Sequence, residues 1–297
     1  MDSPVSIPRS AASSLVFLRS QIPTAHPSAV VLGEERMGAG VAVGTAHVLT
    51  AHYLVLGASE VEVIGVDGRP RDVARITLDH ESGLALLTLA GPPLRPARLG
   101  ASDAVVPGTP VFLLTYGGEG ERKGAVGHVS STGPFEAFWE YLLERALMTT
   151  ALNPGLAGGP LFDGTGALVG VVSLGLAAVG RYSLAIPIAL YVARRERMEQ
   201  GLPGDDARRA WAGIYPQGAS GSVVLSGVVP GGPAEQAGLA PGDLILSVDG
   251  THVSSLTELY RAVWRRSAGQ TLSFRILRDD ALRVVEVTAG DRYAFYR

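Results

Sequence analysis

The chain has 297 residues, 46% hydrophobic and 18% charged, with 25 basic against 28 acidic side chains and a formal net charge of −3. That is enough apolar material for two domains with sizeable cores, and it excludes both a disordered chain and one dominated by a basic nucleic-acid face. The lack of cysteine excludes a disulfide scaffold, a thiolate nucleophile and any zinc site with a sulfur ligand, while 38 glycines and 19 prolines point to many tight turns.

Near the N-terminus, Asp2, Arg9 and Arg19 surround one short apolar run, Leu15–Leu18. This is not the basic-then-apolar layout of an export signal, so a cytoplasmic location is expected, with residues 1–27 as an N-terminal segment. From about residue 28 to 187, short apolar runs alternate with Gly, Pro, Asp and Ser. They predict strands over Ala29–Leu32, Gly40–Val43, His47–Thr50, Val61–Val66, Val73–Leu78, Leu84–Leu89, Pro110–Thr115, Gly124–Ser131, Ala167–Leu174 and Tyr182–Ile186. Strands at this spacing predict a sandwich or barrel. Phe138, Leu142 and Leu143 fall at helical spacing and predict a helix over Phe135–Leu147. The uncharged stretch Gly164–Gly180 is too short and too rich in glycine to span a membrane.

Beyond Pro187 the pattern changes. A helix is predicted over Ile188–Gln200, followed by a polar linker, Gly201–Asp206. Residues 188–210 thus join a second domain over residues 211–290, and 291–297 form a tail. Strands in the second domain are predicted at Ser222–Val229, Asp243–Val248, Gln270–Arg278 and Leu282–Thr288, with helices at Pro233–Ala237 and Leu256–Ser267.

General catalytic motifs are missing. There is no nucleophile elbow, phosphate loop or H-E-x-x-H, and the six histidines lack metal-ligand spacing, so neither metal nor cofactor is expected. More specific is a set of segments in order: GAGVAVGTAHVLTAHYLV at 38–55, DHESGLALLTL at 79–89, ALNPGLAGGPLFDGTGALVGVVSLG at 151–175 and YSLAIP at 182–187. Further on, GVVPGGPAEQAGLAPGDLILSVDGTHVSSLTELYRAV at 227–263 has the punctuation of a PDZ domain. Together these resemble the HtrA/DegP family. The resemblance implies a mainly β chain: two chymotrypsin-like six-stranded β-barrels, a linker helix and an α+β PDZ domain.

Serine protease chemistry requires a hydroxyl nucleophile, an imidazole base, a carboxylate that orients the base, and backbone N–H groups for the oxyanion. The resemblance places the base at His52. Gly83 stands where the family has its aspartate and Ala157 where it has its serine, within an oxyanion loop of Gly155, Leu156 and Ala157. Where measured in serine proteases, losing the nucleophile costs about 10⁶ in turnover and losing the aspartate about 10⁴. Ser82, beside Gly83, is the candidate hydrogen-bond partner for His52, and Ser173 reads as structural.

The resemblance further implies a peptide-carboxylate loop at Trp211, Ala212, Gly213 and Ile214, with Leu259, Tyr260 and Val263 as pocket residues of the groove helix. Pro216 lacks the N–H that a docking strand would offer. The expectation is therefore a catalytically inactive, HtrA-like peptide-binding adaptor, chaperone-like binder or assembly subunit active in protein quality control. Its partners would be peptides or protein C-terminal tails, with a homo-oligomer or larger complex in prospect, but neither nucleic acid nor a membrane span. The alternative is a serine endopeptidase, weakly active or a catalytic mutant of an active one.

Overall fold

Strand β6, Leu84–Leu89, reads LALLTL and buries its residues on both faces, as a strand closed inside a barrel must. The computed structural model describes residues 9–176, 180–202, 204, 208–219 and 221–297. After a short helix, α1 (Arg9–Ser13), the first barrel closes from β1 (Leu15–Gln21), β2 (Glu35–Gly44), β3 (His47–Ala51), β4 (Glu60–Gly65), β5 (Pro70–Asp79) and β6. Their order around the barrel is β1-β2-β3-β6-β5-β4. A second barrel uses β7 (Pro110–Gly118), β8 (Glu121–Ala137), β9 (Tyr141–Thr149), β10 (Pro160–Asp163), β11 (Leu168–Gly175) and β12 (Ser183–Pro187). Read from β7, its order is β7-β8-β9-β12-β11-β10, the same path as the first. The expected pair of six-stranded barrels is therefore present.

Small residues let the first barrel close tightly. A Cβ on Gly40 would lie 2.8 Å from Val48 and 3.0 Å from both Val16 and the Leu49 carbonyl. The core of this barrel includes Val16, Leu18, Val48, Val63, Ala85 and Leu87.

Three expectations for this region need correction, and one strand was not predicted. Ala29–Leu32 is not a strand but part of helix α2 (Pro27–Leu32): Pro27 opens it, and the His26 side chain accepts from the Ser28 N–H. Leu15–Gln21, assigned to an N-terminal segment outside the domain, is β1 and pairs with both β2 and β4. Pro160–Asp163 forms β10, a strand too short for its pattern to register. Finally, Phe135–Leu147 is not a helix: β8 runs to Ala137, Glu140 takes a left-handed φ of 54°, and β9 returns from Tyr141. Its apolar residues fit both periods, and the sheet decides between them.

The chain divides into two units, one of residues 1–133 with 144–204, the other of 134–143 with 205–297. The first unit ends in α3 (Ile188–Gln200), which runs over the predicted residues and stops at the left-handed Gly201. Arg194 on this helix pairs with Asp79 and Glu81 rather than facing solvent alone. Part of the expected linker, Gly201–Asp206, lies outside the described residues.

In the second unit, β13 (Ile214–Ala219), β14 (Ser222–Val228), β15 (Leu244–Val248), β17 (Thr271–Arg278) and β18 (Ala281–Thr288) form a sheet in that order. The short β16 (Thr251–His252) pairs with β15 across a turn in which Asp249 and Gly250 have φ of 48° and 77°. Helix α4 (Pro233–Ala237) begins with proline and ends at the left-handed Gly238. Helix α5 (Leu256–Val263) is capped by Ser255, whose side chain accepts from the Glu258 N–H. It ends sooner than predicted, at Val263 rather than Ser267. The C-terminal tail contains α6 (Arg292–Phe295), and the rings of Phe295 and Tyr296 pack against Trp211 at tilted angles.

Candidate functional site

Strand β3 ends at Ala51, and a single turn of 3₁₀-helix starts at His52, setting that imidazole at a buried strand end. Its Nδ1 lies 3.1 Å from the Gly83 carbonyl oxygen, and its backbone N–H donates to the same oxygen at 2.8 Å. A carbonyl can only accept, so this contact places the proton on Nδ1 and leaves Nε2 as the basic nitrogen. The peptide of Gly83 thus orients the ring, but it brings no negative charge to stabilise an imidazolium. Gly83 itself has φ of 75°, in the left-handed region.

Ser82, considered as a partner for His52, donates its hydroxyl to Asp79 at 2.7 Å and accepts the Leu84 N–H. Asp79 is a buried carboxylate that the sequence reading passed over. It also accepts N–H bonds from Glu81 and Ser82 and lies 3.3 Å from Arg194. Burial pushes its carboxyl above the ordinary range, against the pull of Ser82 and Arg194.

The loop 155–159 is shaped by close backbone approaches. A Cβ on Gly155 would fall 2.2 Å from the Tyr116 carbonyl oxygen, and one on Gly159 2.2 Å from that of Leu114. Gly158 has φ of 90°, and its Cβ would meet the Ala39 carbonyl at 2.1 Å and the Thr50 hydroxyl at 2.4 Å. The Ala39 N–H in turn donates to the Ala157 carbonyl at 2.7 Å, tying the two barrels together here. The Gly155 N–H donates to Asn153 Oδ1 and the Leu156 N–H to the Tyr116 carbonyl, so both are spent on the protein's own frame. The Tyr53 hydroxyl donates to the Ser173 carbonyl at 2.7 Å, a further tie between the barrels. His52 and Ala157 are thus supplied by different barrels, and position 157 carries no hydroxyl.

The second unit contains the other candidate. Trp211 pairs with Gly290, and Gly213 takes φ of 74°. This geometry turns three consecutive amides to one point, a backbone nest suited to a carboxylate. All three are occupied: Ala212 N–H donates to Glu140 Oε2 at 3.2 Å, and Gly213 and Ile214 donate to Oε1 at 2.6 and 3.0 Å. Glu140 is 3% exposed. Burial pushes its carboxyl above the usual range, against the three N–H groups and Arg292. Leu259, Tyr260 and Val263 are fully buried in one apolar cluster with Ile214 and Leu142. Pro216 lies on β13, the edge strand, beside an irregularity between Tyr215 and Pro216. Glu140 was missed because its loop partners lie more than seventy positions away and its own segment read as a helix.

Among the described residues, no cluster of His, Asp and Glu could hold a metal, and no helix is long and apolar enough to cross a membrane.

Comparison with known proteins matches residues 38–171 to the trypsin-like peptidase domain and residues 210–289 to the PDZ domain. A DegP-like protein of Halomonas elongata, named as a periplasmic serine endoprotease, is 30% identical over 89% of this chain and 59% of its own. The chain therefore spans somewhat over half the length of such relatives. HhoB of Synechocystis, which bears a serine protease's name, is 30% identical over 86% of this chain and 67% of its own. Among solved structures, the HtrA-type protease AlgW with a tripeptide has a TM-score of 0.55 at 25% identity, covering 95% of this chain and 96% of its own. One expectation is overturned. Four DegP-like relatives are periplasmic by name, which points away from the cytoplasm. The short apolar run near the N-terminus carried no information on compartment. Its peptidase and PDZ matches, with 30% identity to relatives such as HhoB, place this protein in the HtrA/DegP serine protease family.

Proposed function

We propose that this chain is a non-catalytic member of its family that binds the C-terminal tails of peptides or proteins through the loop Trp211–Ile214. The observation that carries the reading is the convergence of three backbone N–H groups on one carboxylate at 2.6–3.2 Å. A terminal carboxylate presents the same two oxygens, and PDZ domains capture it by this means. The structures of AlgW with bound peptide support the reading by analogy of fold. Pseudoprotease status is supported by Gly83 and Ala157. Without a hydroxyl at 157 no acyl-enzyme can form there, and position 83 has no side-chain carboxylate with which to steady an imidazolium. Periplasmic names among the relatives make that compartment the working assignment.

The test is incubation of the full chain with fluorogenic casein and with a serine-directed fluorophosphonate probe. Neither turnover nor labelling is expected. Casein cleavage that survives repurification and tracks with the protein would restore the endopeptidase reading.

A further inference from the structure

The carboxylate loop already has an occupant from its own chain. Glu140 sits at the tip between β8 and β9, where its left-handed φ of 54° is costly for a residue with a side chain. Such a conformation persists when its surroundings hold it, and here the carboxylate is gripped by three amides. Arg292 adds a guanidinium bond to the Glu140 carbonyl at 3.2 Å. Two residues on, Leu142 is buried in the apolar cluster that contains Ile214, Leu259, Tyr260 and Val263. On the other side, the Tyr260 hydroxyl donates to the Ala137 carbonyl, and Thr257 Oγ1 donates to Glu136 Oε2 at 2.6 Å.

The end of a bound peptide would bring three things to such a groove: a carboxylate, an apolar last side chain and a length of backbone. Residues 136–142 bring the same three, as the Glu140 carboxylate, the Leu142 side chain and the Ala137 carbonyl. We propose that this segment is a built-in pseudo-ligand, and that a partner terminus ending in an apolar residue binds by displacing it from the loop. This rests on the carboxylate-capture reading above and adds its regulation. The loop is closed to solution until the segment leaves, so apparent affinity is lowered by the fraction of molecules in which it has left.

The experiment is a titration of the full chain with a labelled decapeptide ending in a free Leu carboxylate, alongside its amidated twin. Glu140→Ala is expected to bind the free acid at least about tenfold more tightly than the natural chain, in proportion to the occupancy it removes. Glu140→Gln, which keeps an acceptor without the charge, should fall between the two. The amidated peptide should gain nothing from either change. Equal free-acid affinity in the natural chain and Glu140→Ala overturns self-occupancy and leaves carboxylate capture standing. No preference for the free acid in any form overturns capture and the inference together. A measurement on the natural chain alone guards against a variant that does not fold: the amides of Ala212, Gly213 and Ile214 should resist hydrogen exchange without added peptide. Rapid exchange at these three amides would show the loop empty and end the proposal.

Discussion

The loops at 155–159 and 211–214 are both glycine-shaped backbone turns, and their amides are used in opposite ways. In the first, the Gly155 and Leu156 N–H groups bond to Asn153 and to Tyr116 on β7, within the same barrel. In the second, three N–H groups point together at a carboxylate. The first loop would depend for chemistry on side chains at 52, 83 and 157, and two of those three positions hold Gly and Ala. The second needs no particular side chain. A site made of side chains depends on the identity of a few residues, whereas a site made of backbone lasts as long as its fold.

The strongest way to break this comparison is Gly158→Ala. A Cβ 2.1 Å from the Ala39 carbonyl, on a residue with φ of 90°, cannot be accommodated without moving backbone. We expect a loss of about 3 kcal/mol or more, by analogy with severe overpacking and backbone strain. For a unit of this size that lowers the melting temperature by roughly 6–12 °C in calorimetry. A loop that tolerated alanine here would not be held by the approaches described.

Gly213→Ala probes the other loop and should act more on binding than on stability. Its φ of 74° costs a residue with a Cβ about 1–2 kcal/mol, and the nearest obstacle, Pro233 Cδ at 3.2 Å, is less severe. Relaxing that φ would spread the three amides, so free-acid and amidated peptides should bind alike in calorimetric titration. Retained preference for the free acid would mean that the nest does not depend on this conformation.

A smaller gain is expected from Pro216→Ala. It restores an N–H on the edge strand β13, and one added backbone bond is worth about 0.5–1.5 kcal/mol, up to roughly tenfold in peptide affinity. No change would place that position outside the docking edge. Ala157→Ser should have the least effect: stability within about 0.5 kcal/mol and no casein cleavage. Adding Gly83→Asp places a carboxylate at that position but puts a Cβ at φ of 75°, for about 1 kcal/mol or more. Robust cleavage by Ala157→Ser alone would show that the Gly83 carbonyl suffices to run the base.

Much of this was legible where a residue type is dictated by local geometry. Leu84–Leu89 and Ile188–Gln200 run over the residues expected, because a continuous apolar run and a helical face with a glycine stop leave little choice. The loop Trp211–Ile214 could be located by resemblance, since its glycine serves the backbone turn itself. What escaped was decided at long range. Phe135–Leu147 satisfies two periodicities, and barrel closure selects the strand pair. Ala29–Leu32 is rich in valine, yet Pro27 and the His26 cap turn it into a helix. Glu140 has no local marker, because its meaning lies in three amides far along the chain.

The close packing around Gly155, Gly158 and Gly159 has a consequence for how such sequences are interpreted. The glycines of a protease signature are commonly taken as a record of selection for hydrolysis. Here each would be required by van der Waals contact alone, whether or not any bond is ever cut. Packing therefore preserves the mould independently of the reagent. A signature dominated by its glycines and its proline will go on recognising the mould, and enzymatic competence has to be read from the two or three positions between them.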